Sequence, residues 1–257
     1  MLKKLLLLVL VNISISGVSQ ENITLTYTGN MGVYLSDGDS SVLIDGLHTK
    51  YGDDYLFPTK KLINRIHAEL QPNLILFTHR HGDHFSIQLS KDYLISNKKA
   101  FLFGAHQITK NFDDFKNRIF TIATKDYKKQ TTTQGNIKIT GLKINHAGKR
   151  HINIENVGYI ITLSKRRILH VGDTNWMREI NLFDQLQLQN ENINIAVLPY
   201  WMLMDDNAEA LIKKHINPKQ IVATHISPRI KEKELQSLKN RYPAVHFLTK
   251  LEEQIQL

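Results

Sequence analysis

Cysteine is absent from the 257-residue chain. That excludes disulfides, lipid attachment through an N-terminal cysteine and thiolate metal ligands, so any metal must be held by imidazole and carboxylate. Also missing from the body of the chain is any Pro/Gly/Ser-rich stretch, low-complexity tract or long run of like charge, which leaves no candidate linker. A single domain is expected, and 42% apolar residues at this length suffice for one large core. Nor is there an apolar run of the roughly 20 residues that a membrane-spanning helix needs. The nearest approach is Leu5 to Val11, which follows Lys3 and Lys4, is broken by Asn12, Ser14, Ser16 and Gly17, and leads into the small residues of Gly17-Val18-Ser19. That is the layout of a secretory signal peptide. Residues 1–19 are therefore expected to be cleaved near Ser19/Gln20, leaving residues 20–257 as a soluble domain, periplasmic or secreted.

The formal net charge is +9, two of those charges being Lys3 and Lys4. The remaining Lys and Arg residues are spread along the chain rather than gathered in a patch. They read as a solvated basic surface that attracts a small anionic substrate, with no clear nucleic-acid site.

Three short strands open the body of the chain, Ile23 to Thr28, Gly32 to Ser36 and Ser41 to Ile44, separated by Gly-Asn and Asp-Gly turn signals. Leu62, Ile63, Ile66 and Leu70 recur at helical spacing and predict a helix over 59–70. The apolar strand Asn73 to Thr78 follows and runs straight into His79. A helix over 86–96 and a strand over 100–103 come next, while 111–129 is polar and carries no clear pattern. Strands are expected at 136–145, 157–163 and 167–171, with Ser164-Lys165-Arg166 as a hairpin turn. The last third alternates: strand 193–198, helix 206–216, strand 220–224, helix 231–241, strand 244–248. Strand-rich runs closed by helices point to an α/β fold of two sheets between helical layers.

The strongest chemical signal is His79-Arg80-His81-Gly82-Asp83-His84. Four metal-competent side chains sit where an apolar strand ends, and burying imidazoles and carboxylates there without partners would be costly. In extended chain, residues two apart point the same way, so His79 and His81 can share one ion. Gly82 permits a sharp turn, and Asp83 and His84 diverge toward a second ion. Imidazole with carboxylate suits zinc first, with manganese or iron as alternatives.

With this run the chain resembles the metallo-β-lactamase superfamily, whose signature His-x-His-x-Asp-His after a strand is matched in full. The resemblance implies a four-layered αββα sandwich and further ligands later in the chain. Candidates occur in the right order: His146 in Ile144-Asn-His-Ala-Gly148, Asp173 in Gly172-Asp-Thr174, and His225 in Ala223-Thr-His-Ile-Ser-Pro228. It implies one metal held by His79, His81 and His146, another by Asp83, His84 and His225, and Asp173 bridging them. His151, five residues beyond His146, is the alternative to it; Leu142, Ile144 and His146 alternate along a strand, which favours His146. Two ions about 3.5–4 Å apart would share a water whose pKa falls toward roughly 7. Asp83 would orient that nucleophile and shuttle its proton as the catalytic residue.

Other polar residues are open to two readings. Asp45 ends the strand Val42-Leu-Ile-Asp45 and either braces the site from behind or is a turn aspartate. His170 either supports Asp173 or packs within its strand, and His48, His67, His106, His215 and His246 read as surface or core residues. Tyr200 and Trp201 either line the pocket or anchor a buried loop. Within the superfamily the chain is similar to the short branch that includes ascorbate-phosphate lactonase-like proteins, which implies hydrolysis of an ester, lactone or phosphodiester-type bond in a small-molecule substrate. Tyr200-Trp201-Met202-Leu203-Met204 stands where a glycine-rich stretch is often found. The alternatives are a β-lactam-hydrolysing enzyme, disfavoured by the bridging Asp173, and a non-catalytic metal-binding or interaction protein that keeps the fold.

Overall fold

The computed structural model describes residues 22–174, 176 and 179–257. The expected signal peptide, residues 1–19, lies outside the described residues. The chain runs through β1 (Thr24–Gly29), β2 (Gly32–Ser36), β3 (Ser41–Ile44), α1 (Lys60–Arg65), β4 (Leu74–Leu76), α2 (Ile87–Ser96), β5 (Phe101–Gly104), α3 (His106–Thr109) and β6 (Ile119–Thr121). It continues through β7 (Lys129–Gln134), β8 (Ile137–Lys143), β9 (Val157–Leu163), β10 (Arg166–His170), α4 (Ile180–Phe183) and β11 (Ile195–Pro199). The last elements are α5 (Ala208–His215), β12 (Gln220–Thr224), α6 (Glu232–Arg241), β13 (Val245–Phe247) and β14 (Gln254–Gln256). No described helix is long and apolar enough to cross a membrane.

These strands form two seven-stranded sheets, in the orders β14-β1-β2-β3-β4-β5-β6 and β13-β12-β11-β10-β9-β8-β7. Each is half antiparallel meander and half parallel: β3 to β6 run parallel in the first, and β10 to β13 in the second. Alternation along the strands explains the layering. Leu74 and Leu76 of β4 face the inter-sheet core beside Leu35, Ile139, Ile161 and Val197. Ile75 and Phe77 face the other way, against Leu62 and Ile66 of the α1 segment and Tyr93 and Leu94 of α2. In the second sheet Ala196, Leu198 and Ala223 turn outward to Ala208, Ile212 and Leu238 on α5 and α6. The parallel strands are thus buried on both faces, which is why they read as continuous apolar runs. The result is the four-layered αββα sandwich.

The helix expected over 59–70 is two pieces. Thr59 caps α1 by accepting from the Leu62 N–H, and from Ile66 to Leu70 the turn widens to a π-helix closed by the bond from Gln71 N–H to the Ile66 carbonyl. The featureless 111–129 region holds a 3₁₀ turn, Asp113–Arg118, and strand β6. Strands β7 and β14 lack an apolar signature: they are edge strands of almost wholly polar sequence, paired to β8 and β1.

Candidate metal centre

The carboxyl ends of the parallel strands meet at one rim, where ligand sites of parallel sheets form. Asp45 follows β3, His79 lies just beyond β4, Asp173 follows the Gly172 turn after β10, and His225 directly follows β12. His146 arrives from the antiparallel half, three residues past β8, and an isolated bridge pairs it with Thr174. The seven candidate residues meet in two groups, His79 with His81 and His146, and Asp83 with His84, Asp173 and His225, the ligating atoms of each group lying within 4.8 Å of one another. Asp173 joins the groups, with its Oδ2 3.9 Å from His79 Nε2, 3.7 Å from His146 Nε2 and 3.4 Å from His225 Nε2.

These residues are oriented by a shell of hydrogen bonds. Asp45 is fully buried; its Oδ1 accepts from the Thr78 N–H at 2.8 Å, and its Oδ2 accepts from the Thr78 hydroxyl and from His84 Nδ1 at 2.8 Å. With the proton thus held on Nδ1, His84 presents Nε2 to the cluster. His146 does the same by donating from Nδ1 to the Ala147 carbonyl at 2.7 Å. His170 donates from Nε2 to the Met31 carbonyl at 2.9 Å, and its Nδ1 accepts from the Gly172 N–H at 3.3 Å. It therefore ties the first sheet to the turn that carries Asp173. Asp45 and His170, each open to two readings in the sequence, thus stand behind the candidate ligands.

Asn30 and Asn156 belong to the same shell, and no pattern in the chain marked either for chemistry. Asn30 occupies the β1–β2 turn with φ +50°, and its amide donates to the Asp83 carbonyl at 3.1 Å and to Asp83 Oδ2 at 3.0 Å. Its own carbonyl accepts from the His225 N–H at 2.9 Å, so one turn residue addresses two candidate ligands. Asn156 accepts from the Asp173 N–H and donates to the Val171 carbonyl, spanning the turn at Gly172. Gly172 has φ +60°, and a Cβ there would stand 2.5 Å from Asn156 Oδ1. The Gly-Asn pair read as a turn signal in the sequence, and nothing in its pattern showed which chain it would approach.

Electrostatically the cluster calls for a cation. Burial alone would raise the carboxyl of Asp173, but the imidazoles of His225 and His84 hold it well below the usual carboxylate range. Burial likewise opposes Asp83, and His84 prevails, keeping it below its ordinary value. His84 is pushed well above the usual imidazole value because Asp173, Asp83 and Asp45 outweigh its burial. His79 and His81 go the other way, His79 well below 6.5 and His81 to about 4, through burial and neighbouring imidazoles. The buried Nε2 atoms of His79, His146 and His225 and Oδ1 of Asp173 have no hydrogen-bond partner among the described residues. Orphaned nitrogens facing a shared carboxylate, with Nδ1 of His79 engaged by the Thr78 hydroxyl and Nδ1 of His146 by the Ala147 carbonyl, are donors of the kind that could hold a divalent metal.

His151 stands beside this cluster rather than in it. Its ring lies 4.7 Å from that of His81 and 4.8 Å from that of His146, and its Nε2 accepts from Arg150 Nε at 2.8 Å. Trp201 packs its half-buried ring edge-on against His225 at 4.7 Å, and Tyr55 meets the same imidazole edge-on at 5.5 Å. Tyr200 and Trp201 both pack against the outer core of the second sheet, and of the two it is Trp201 that also touches His225. His215 and His246 pair with Asp184 and Glu253 and belong to neither candidate ligand group.

Residues 42–233 match the model of the beta-lactamase superfamily domain. A UPF0173 metal-dependent hydrolase of Natranaerobius thermophilus is 26% identical, the match covering 78% of this chain and 82% of that protein. Among solved structures, a metallo hydrolase from the hyperthermophilic archaeon Ignicoccus hospitalis superposes with a TM-score of 0.64 at 18% identity, over 92% of this chain and 98% of that one. The metallo-beta-lactamase fold protein YhfI from Bacillus subtilis gives 0.61 at 15% identity, over 93% and 100%. With the family model spanning the sandwich from β3 to the start of α6, this chain belongs to the metallo-β-lactamase superfamily.

Proposed function

We propose that the protein is a dinuclear metal-dependent hydrolase, with zinc as the metal, acting on an ester, lactone or phosphodiester-type bond of a small molecule. The observation that carries it is the set of buried, unpartnered nitrogens of His79, His146 and His225 around the Asp173 carboxylate. His79, His81 and His146 would hold one ion and Asp83, His84 and His225 the other, with Asp173 between them. Bound there, divalent ions supply Lewis acidity toward a substrate oxygen and make water acidic enough to ionise near neutral pH.

The chain's own residues supply the rest. Asp83, kept ionised by His84 and aimed by the Asn30 amide, is placed to accept a proton at its carboxylate and pass it on. Asp45 and Ala147 hold the Nδ1 protons and ring orientations of His84 and His146, so the rings need not turn when the site is loaded. Trp201 and Tyr55 present aromatic surface beside His225, where an apolar part of the substrate would rest and exclude water. The signal-like residues 1–19 add the proposal that the enzyme works outside the cytoplasm.

The test is a hydrolysis panel of lactones, phosphodiesters, thioesters and β-lactams on zinc-loaded protein, with Asp83→Asn alongside. Turnover of one ester class that Asp83→Asn abolishes supports the reading. Bound metal with no turnover of any class would favour the non-catalytic alternative.

A further inference from the structure

Arg80 sits between His79 and His81, and since neighbouring side chains of extended backbone point to opposite sides, it faces away from the metal centre and is exposed. There it lines a cleft of about 550 Å³ together with Phe85, Ile87, Gln107, Lys110 and Asn111. That volume is within the range of small-molecule sites, roughly 300–1,000 Å³.

The lining has a definite chemistry. Arg80 and Lys110 are both exposed, and among the described residues neither enters an ion pair or a side-chain hydrogen bond. The nearby acid, Glu155, is already engaged: it accepts from the Gln107 N–H at 2.9 Å and pairs with Lys143 at 3.7 Å. Gln107 is itself fixed, donating to the Asn153 carbonyl and accepting from the Glu155 N–H, so this wall is rigid. Ile87 is the first residue of α2, a ten-residue helix, and the N–H groups of Ile87 and Gln88 have no partner among the described residues. The start of that helix adds positive potential to the two free cations. Phe85, held between Phe77 and Phe112, and Ile87, 43% exposed, supply an apolar floor.

From this convergence we propose that the cleft is a second ligand site, separate from the metal centre, for a small anion joined to an apolar group, of the alkyl phosphate class. The anionic head lies between Arg80, Lys110 and the start of α2, and the alkyl part lies on Phe85 and Ile87. The site does not depend on the hydrolase reading, because binding is measured without turnover.

The experiment is calorimetric titration of the zinc-loaded full chain with hexyl phosphate, beside inorganic phosphate and hexanol. Hexyl phosphate should bind saturably and hexanol should not. Lys110→Gln and Arg80→Gln should each weaken hexyl phosphate by about tenfold or more, the worth of one hydrogen bond to a charged group. Metal content, measured in parallel by emission spectrometry, should stay unchanged in Lys110→Gln, which is exposed and outside the histidine run. Ile87→Asn should weaken hexyl phosphate and leave inorganic phosphate unaffected. Equal affinity of wild type and Lys110→Gln would place the phosphate on the metal ions alone and overturn the proposal. Absence of saturable binding would overturn it as well.

Discussion

Replacing Asp45 by asparagine removes a charge and almost no volume, at a residue that touches a candidate ligand but stands behind it. The backbone there is left-handed, φ +48°, a conformation that asparagine tolerates. Its Oδ1 can still accept from the Thr78 N–H, now 2.8 Å from the carboxylate. Its amide nitrogen, however, would meet two donors, the Thr78 hydroxyl and His84 Nδ1–H, the latter 2.8 Å away in the native protein. His84 is then driven to give up its Nδ1 proton and keep the one on Nε2, the nitrogen that faces Asp83 and Asp173. Metal affinity is expected to fall about 10–100-fold, the usual cost of losing the outer partner of a ligating histidine. Metal-free protein should also lose roughly 1.5–3 kcal/mol, the worth of a hydrogen bond to a charged group. Competition with a chromophoric chelator reads the first number and urea unfolding the second. Unchanged zinc affinity in a folded Asp45→Asn protein would refute the role given to Asp45.

Gly172→Ala should lower both thermal stability and metal affinity: the left-handed backbone alone costs about 1–2 kcal/mol, and the new Cβ would lie 2.8 Å from Thr78 Cβ. Asn30→Ala should weaken metal binding and slow turnover more than it destabilises the fold, since it frees Asp83 Oδ2; a fall in stability with intact metal affinity would count against it. His48 is buried, and desolvation followed by the nearby His84 lowers its pKa from 6.5 to about 4. The unfolded chain therefore takes up this proton first, and metal-free protein should lose about 3 kcal/mol as pH falls from 6.5 to 4, with no further loss from His48 below that. Urea midpoints of wild type and His48→Gln across that window should converge toward acid pH; parallel curves would mean that His48 does not titrate this way.

The strands that carry the site were legible because they are buried on both faces and so appear as unbroken apolar runs, as in Leu74 to Phe77 and Ile195 to Leu198. The histidine run was legible because it follows such a strand. The polar edge strands β7 and β14 were not, since their partners rather than their own side chains make them strands. The same limit applied at the site. Asp45 and His170 showed their chemistry but not their contacts, and Asn30 showed only a turn, because its partner Asp83 is more than fifty residues away in the chain. Between His146 and His151 the sequence offered only the alternation of Leu142, Ile144 and His146, which favoured His146. The two histidines separate in space, where His146 is buried among His79 and His81 while His151 is held by Arg150.

Metal stoichiometry of the purified protein, by mass spectrometry of the digested sample, bears most directly on the dinuclear centre. About two divalent ions per chain are expected, falling on substitution of Asp173 by alanine, which removes the carboxylate shared by both groups. Less than one tightly bound ion per chain, or two ions that survive Asp173→Ala unchanged, would contradict it.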